Sequence, residues 1–227
     1  MNGTLKPWRG ACEAELRAHS EADSIRFWRV FHEAEDGPKA IFDYRFEHTL
    51  AVVKLARWLA SKTGADPEIL ECGAWLHDCR KRLNASGGAD THGREAAEAL
   101  EGILDGTDFP AAKIPAVRHA ILHHVGLRLE RRLEPLETAC LWDADKLSKL
   151  GAASLVHFSC ISGGFGPVDT AHILERGERW LGLAEGIVAS FNTPAAREEG
   201  ERRYRFLVQH YAQLRREWDD PMQESRP

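Results

Sequence analysis

Apolar residues recur at spacings of three and four along most of the chain, and no stretch alternates apolar and polar residues for long enough to predict a sheet. The pattern therefore predicts an all-α fold. Predicted helices cover about residues 11–34, 44–63, 66–79, 92–104, 110–124, 135–151, 169–190 and 195–217. No internal repeat or interdomain linker separates them, so residues 1–227 are expected to form one helical domain.

Local start and stop signals support several of these helix ends. Gly64 is expected to end the second helix, and Asp66 followed by Pro67 is a strong start signal for the third. The polar, glycine-rich stretches 84–90 and 162–167 are predicted to be loops.

Four histidines, each on a different predicted helix, share a helix face with apolar or small residues: His48, His77, His92 and His124. A single inward-facing histidine is usually a hydrogen-bonded core residue. Polar side chains otherwise avoid the core, so four rings that turn inward together favour a metal site. Such a site would form only in the folded bundle, because its ligands come from separate helices.

Asp78 directly follows His77 near a predicted helix end, so both side chains can reach one metal ion. A buried carboxylate without a partner there would be costly to desolvate. Imidazole and carboxylate ligands without a thiolate suit Mn²⁺, Fe²⁺, Co²⁺ or Zn²⁺ rather than Ca²⁺, and Mg²⁺ is kept as a further candidate. One or two divalent ions are therefore the expected cofactor.

His48, then His77-Asp78, then Asp143-Ala-Asp145-Lys-Leu resembles the defining pattern of the HD-domain superfamily of metal-dependent phosphohydrolases. The surrounding segments 45–53, 75–78 and 143–152 look like the corresponding helices of bacterial members. The resemblance covers about residues 44–160 and implies a helical bundle with a metal site in its core, preceded by N-terminal helices and followed by a C-terminal helical extension. The tail that begins at 192–193 also looks like that of a nucleotide-acting bacterial subfamily.

A second group of residues resembles HD enzymes that hold two metals. His77-Asp-Cys-Arg-Lys81, His92-Gly93 and the segment 120–126 are similar to symmetrical dinucleoside tetraphosphate hydrolases and cyclic dinucleotide phosphodiesterases. Single-metal members need only the His, His-Asp and Asp set, so the extra histidines imply a binuclear centre. No Gly-Tyr-Pro follows the histidine pair, and cyclic dinucleotide cleavage is therefore not supported.

The resemblance implies six metal ligands, namely His48, His77, Asp78, His92, His124 and Asp145. Asp78 is expected to bridge two ions and, with Lys81, to be catalytic. Asp143 stays open as the alternative to Asp145, because helical periodicity places it on an apolar face as well.

Basic side chains near these ligands are candidates for substrate binding. Lys81 is expected to contact phosphate, although a basic run at a helix end can equally be a solvated terminus. Arg45 and Lys149 each lie about one helical turn from an expected ligand. His123, or His119 one helical turn before it, could face the substrate or contact one of the metal-binding side chains.

Composition and charge narrow the class of protein. The chain has 227 residues, 43% of them hydrophobic, and a formal net charge of −5, which offers no general basic field for nucleic acid. Five cysteines without a Cys-x-x-Cys pair argue against a disulfide framework and a thiolate zinc site. The sequence lacks a signal peptide's apolar run and any membrane span, so we expect a cytoplasmic protein. Its oligomeric state is left open.

The predicted function is hydrolysis of a phosphate ester or anhydride of a small-molecule substrate, a nucleotide or dinucleoside polyphosphate, by a metal-activated water. A di-iron oxygenase of the same superfamily and a non-catalytic nucleotide sensor are the alternatives. Lys81 and the nucleotide-enzyme-like tail favour hydrolysis over oxygenation. The sensor is disfavoured because no expected ligand position is replaced.

Overall fold

The computed structural model describes residues 5–28, 31–34, 37–83 and 91–219. Within these ranges the helices are α1 (Trp8–Trp28), α2 (Tyr44–Thr63), α3 (Pro67–Leu76), α4 (His92–Leu104), α5 (Ile114–His123), α6 (Leu136–Leu147), α7 (Ala152–Phe165), α8 (Thr170–Ser190) and α9 (Pro194–Asp219). A single 3₁₀ turn, Ala111–Lys113, precedes α5. The all-α prediction is confirmed.

The predicted end of the first helix is wrong. α1 ends at Trp28, and β1 (Phe31–Ala34) then pairs antiparallel with β2 (Gly37–Ala40). Four-residue strands are too short to show alternation in the sequence, which is why the pattern does not reveal this small ladder. The ladder lies ahead of α2 and leaves the fold helical.

The capping signals around α2 and α3 act as predicted. Gly64 adopts a left-handed conformation with φ +79° and donates its N–H to the carbonyl of Ala60, which ends α2. The carboxylate of Asp66 accepts from the N–H groups of Glu68 and Ile69 and so caps α3. α3 ends at Leu76, earlier than predicted, and residues 77–80 form a turn.

The predicted loop at 162–167 is wrong over 162–165, because α7 continues to Phe165; only residues 166–167 lie outside the helix. The Ser162 hydroxyl donates a hydrogen bond to the carbonyl of Phe158, one turn earlier in the helix. Gly164 is there for packing, since a Cβ at that position would lie 2.1 Å from the ring of Phe27. The predicted loop at 84–90 lies outside the described residues.

The core lies where α2, α3, α5 and α6 pack against one another, with α4 against α5 and α8 against α9. Its largest fully buried side chains include Leu59, Leu70, Ile121 and Trp142. α6 is embedded most deeply, because every residue from Thr138 to Leu147 is buried. None of the helices in the described part of the chain has the length and apolar character that a bilayer crossing requires.

Candidate metal centre

Six polar side chains from five separate elements meet in the middle of this core. His48 comes from α2, His77 and Asp78 from the turn after α3, His92 from the start of α4, His124 from the residue after α5, and Asp145 from α6. None of the six is more than 5% exposed. The structure therefore brings together all six residues that the sequence predicted as metal ligands.

One half of the group, the first cluster, consists of His48, His77, Asp145 and Oδ2 of Asp78. The Nε2 atom of His48 lies 3.2 Å from Oδ1 of Asp145, 3.4 Å from Nε2 of His77 and 3.6 Å from Oδ2 of Asp78. The Nε2 atom of His77 lies 3.8 Å from that Asp78 oxygen and 3.9 Å from the Asp145 oxygen. Ligands about 2.0–2.2 Å from one ion are separated by roughly such distances.

The other half, the second cluster, consists of His92, His124 and Oδ1 of Asp78. The Asp78 oxygen lies 3.0 Å from Nε2 of His92 and 3.4 Å from Nε2 of His124, and the two Nε2 atoms are 3.1 Å apart. Asp78 thus directs one carboxylate oxygen into each cluster. A carboxylate in this position can bridge two cations.

Backbone carbonyls determine which nitrogen of two imidazoles carries the proton. The Nδ1 atom of His77 lies 2.8 Å from the carbonyl oxygen of Ala74, and Nδ1 of His124 lies 2.6 Å from that of Ile121. Because a carbonyl only accepts, each Nδ1 must donate, which leaves the lone pair of the neutral ring on Nε2. Metal-binding histidines in proteins are commonly held in this way.

Ser148 imposes the same tautomer on His48. Its hydroxyl donates to the carbonyl of Asp145 at 2.6 Å and therefore accepts from Nδ1 of His48 at 3.1 Å. The facing Nε2 atoms of His48 and His77 then both present lone pairs and cannot hydrogen-bond to each other. A cation between them would remove this repulsion.

Asp78 provides a second test of whether a metal fits. Its Oδ1 atom is buried and accepts no hydrogen bond from the described part of the chain, although the Nε2 atoms of His92 and His124 lie close by. An unsatisfied buried carboxylate oxygen is costly, and a coordinated cation would satisfy it. The donor set therefore fits divalent metal ions.

Burial and neighbouring charges keep these groups in the protonation states that bind metal. Burial, with Lys149 nearby, lowers the pKa of His48 to about 4, and burial likewise lowers the pKa of His77 well below its usual range. Burial by itself would raise the pKa of Asp78, but the nearby ammonium of Lys81 holds that pKa well below its usual range. The rings of His48 and His77 are thus neutral and the Asp78 carboxylate is ionised.

Lys146 and Lys149 do the same for Asp145. Burial alone would raise the pKa of Asp145, but the two ammonium groups hold it well below its usual range. Lys146 and Lys149 each contact one of the two Asp145 oxygens. Asp145 is therefore also ionised.

Three of the four predicted substrate-contact residues lie beside the clusters. Nζ of Lys81 is 3.3 Å from Oδ2 of Asp78, and an Nη atom of Arg45 is 3.7 Å from the same oxygen. Lys149 contacts Asp145 directly. The Lys81 side chain is 38% exposed, so this ammonium can reach a molecule that enters from solvent.

His123 is the predicted contact residue that the structure keeps apart. It is exposed, its ring stacks on His119 with centroids 4.2 Å apart, and its Nδ1 lies 2.8 Å from the carbonyl of His119. Within the described residues no contact joins it to the six clustered side chains. His119 in turn lies 2.9 Å from the hydroxyl of Thr138.

Asp143, the alternative to Asp145, has other partners. One carboxylate oxygen accepts from the backbone N–H and side-chain amide of Asn192, both at 2.9 Å. The other accepts from the backbone N–H and hydroxyl of Thr193 at 2.9 and 2.8 Å. Both oxygens of Asp143 thus anchor the chain between α8 and α9.

Three further residues of the site went unrecognised in the sequence. Ser148 orients His48, and the buried Lys146 contacts Asp145 and donates to the carbonyl of His124 at 3.0 Å. The ring of Tyr44 stacks parallel to that of His48, with centroids 6.0 Å apart, and burial raises the pKa of Tyr44 to about 12. The only signal was position: Tyr44 lies one turn before His48, and Ser148 lies three residues after Asp145.

Comparison with known proteins agrees with this architecture. The HD domain family model matches residues 45–150, which contain all six clustered residues. Residues 45–150 therefore form a domain of the HD family. Comparison with curated proteins finds no match. An HD domain implies divalent metal binding, and the chain has histidine and aspartate groups that could hold the ion.

Solved structures share the fold at low sequence identity. Bacillus subtilis YpgQ in complex with ADP is 24% identical, with a TM-score of 0.58 over 77% of this chain and 90% of that one. A predicted HD-superfamily hydrolase from an uncultured Thermotogales bacterium is 23% identical, with a TM-score of 0.58 over 93% and 94% of the two chains. An HD-superfamily hydrolase from Bacillus thuringiensis is 21% identical, with a TM-score of 0.56 over 94% and 99%.

Proposed function

We propose that this protein is a metal-dependent phosphohydrolase with a binuclear centre. The single observation that carries the proposal is Asp78, whose two oxygens face two separate clusters of imidazoles in a buried site. In this assignment His48, His77, Asp78 and Asp145 hold one ion. Asp78 also contributes to a second ion, which His92 and His124 hold.

We further propose that the substrate is a nucleotide or a dinucleoside polyphosphate. The tail that begins at residues 192–193 resembles that of a nucleotide-acting bacterial subfamily, which supports this choice. The structure of YpgQ in complex with ADP, a protein of similar fold, supports it as well. Around the clusters, Arg45, Lys81 and Lys149 provide positive charge for the phosphate groups. Positioned cations of this kind stabilise the charge that develops on phosphoryl oxygens.

Divalent ions at this site would lower the pKa of bound water and act as Lewis acids towards the phosphoryl group. The residues of the chain have separate tasks. His77 and His124 keep their Nε2 lone pairs directed inward through the carbonyls that fix Nδ1. Lys81 holds its ammonium beside Asp78 and can turn to an incoming phosphate, because the side chain is partly exposed. Arg45, buried between Asp78 and Asp23, is the more rigid cation.

The reaction is tested with the purified full-length protein, after elemental analysis and anaerobic reconstitution with Mn²⁺ or Fe²⁺. We expect release of phosphate or a nucleotide from a panel of nucleotides, dinucleoside polyphosphates and phosphomonoesters, with ¹⁸O from labelled water in the phosphate product. Dioxygen uptake by the iron-loaded protein without any hydrolysis would indicate the oxygenase instead. Nucleotide binding without turnover would indicate the sensor.

The double variant His92→Ala, His124→Ala is expected to halve the bound metal, because it removes both imidazoles of the second cluster and leaves the first intact. Elemental analysis of wild type and variant, loaded in parallel, provides the measurement. His119→Ala with His123→Ala is the matched control, which removes two imidazoles from the same region without touching either cluster. A wild-type protein that never exceeds one ion per chain would indicate a single-metal site.

Lys81→Met is expected to lower kcat by about 10–100-fold and to leave metal content unchanged, because the ammonium acts on charge that grows as the phosphate bond breaks. Steady-state kinetics and elemental analysis measure the two quantities separately. Arg82→Met is the control, since Arg82 is the adjacent exposed cation. Equal kinetics in Lys81→Met and wild type would make Lys81 a solvated helix-end residue.

A further inference from the structure

A second cavity lies between α7, α8 and α9, outside residues 45–150 that match the HD domain. Its volume is about 320 Å³, at the lower end of the range for small-molecule sites. The lining residues that matter here are Phe158, Ser162, Arg176, Trp180, Leu183 and Tyr211. Phe158 separates the cavity from Tyr44, on which it stacks, and therefore from the two clusters.

The walls of this cavity are mainly aromatic and aliphatic. The rings of Phe158 and Trp180 meet edge to face with centroids 5.4 Å apart, and Tyr211 is 7% exposed. The indole N–H of Trp180 is buried and has no acceptor in the described part of the chain. Such a surface suits the apolar part of a small molecule.

The charged groups that line the cavity are both cationic, Arg176 and Arg179, and no carboxylate lies among the lining residues. Arg179 is exposed and already pairs with Glu175 at 2.6 Å. Arg176 is partly buried, and within the described residues its guanidinium forms no ion pair. Its one bond is long, 3.5 Å to the carbonyl of Phe158, which also accepts from Ser162. A guanidinium in this setting is suited to an anionic partner.

We propose that this cavity binds a small amphipathic anion, with its carboxylate or phosphate on Arg176 and its apolar chain or ring against Phe158, Trp180 and Tyr211. This site is independent of the proposed hydrolytic function, because its lining contains none of the clustered residues.

Isothermal titration calorimetry of the full-length protein with octanoate, octyl phosphate and octanol tests the proposal. We expect both anions to bind, with octanol at least about tenfold weaker, because a charge-assisted hydrogen bond contributes about 1.5–3 kcal/mol. The relative affinities of octanoate and octyl phosphate distinguish a carboxylate ligand from a phosphate ligand. Asp78→Asn should bind octanoate with unchanged affinity, which separates this site from the metal centre. Octyl phosphate is a phosphomonoester, so it is also titrated into this variant, in which loss of the metal removes any binding at the metal centre.

Two variants locate the binding. Arg176→Gln should weaken octanoate about tenfold and leave octanol unchanged, whereas Arg179→Gln, the matched control, should change neither. Leu183→Trp puts a larger side chain among the lining residues, at an exposed position that should tolerate it, and should weaken all three probes. The proposal is overturned if octanoate does not bind, if octanol binds as tightly, or if octanoate binding survives both Arg176→Gln and Leu183→Trp.

Discussion

Replacement of Asp78 by Ala is expected to remove most of the bound metal and to lower phosphohydrolase turnover by about a thousandfold or more. The physical reason is the position of the carboxylate, which sends one oxygen towards His48 and His77 and the other towards His92 and His124. Without it, two cations would face each other with no anion between them. Elemental analysis and turnover with the best substrate of the panel are the measurements.

The isosteric variant Asp78→Asn distinguishes loss of a metal ligand from loss of folding. It keeps the volume of the side chain, removes its charge, and should also lose most of the metal while it retains the wild-type circular dichroism spectrum. Asp169→Ala is the surface control, because that carboxylate is exposed at the start of α8. Full metal occupancy with near wild-type turnover in either Asp78 variant would contradict the ligand assignment.

Replacement of Asp143 by Ala is expected to lower the free energy of unfolding by about 3–5 kcal/mol, because several buried neutral donors are left without an acceptor and each such group costs about 1–3 kcal/mol. The backbone and side-chain donors of Asn192 and Thr193 would all lose their acceptor at once. Urea denaturation followed by circular dichroism measures the change. Metal content per folded molecule should stay at the wild-type value.

Asp145→Ala is the matched comparison on the same helix. It removes a carboxylate from the first cluster, so we expect it to lose metal while the Asp143 network stays intact. If Asp143→Ala were as stable as wild type, the structural role assigned to Asp143 would be wrong. If it lost metal while still folded, Asp143 would be a ligand and the assignment of Asp145 would be contradicted.

Much of the helical framework could be predicted from the sequence, because its signals are local. Periodicity indicates the helices, and Gly64, Asp66 and Pro67 mark their ends through backbone geometry and capping that involve only near neighbours. The helix predictions fail where contacts between residues distant in the sequence determine the local structure. The glycine-rich end of α7 is an example, because Gly164 packs against Phe27, which is far away in the sequence.

The same division holds within the site. Helical spacing indicated that His48, His77, His92 and His124 face inward, and the structure brings them together. Their roles as ligands remain predictions. The orienting group of His48 is Ser148, and a hydrogen bond between residues 100 positions apart leaves no local pattern.

The sequence by itself indicated most of the helices and predicted that imidazole and carboxylate groups meet inside the bundle, but it did not reveal α7. Only the tertiary structure shows that Asp145, and not Asp143, lies beside the clustered imidazoles. The two side chains project from nearly opposite sides of α6, about 160° apart, yet both are buried, because residues 138–147 of this helix are covered on every side. The spacing of apolar residues can distinguish a buried helix face from an exposed one. Since residues 138–147 of α6 are all buried, this spacing could not distinguish Asp143 from Asp145. Asp145 faces imidazoles, whereas Asp143 faces the Asn192-Thr193 segment. These partners are distant in the sequence, so only the packing of the folded chain determines them.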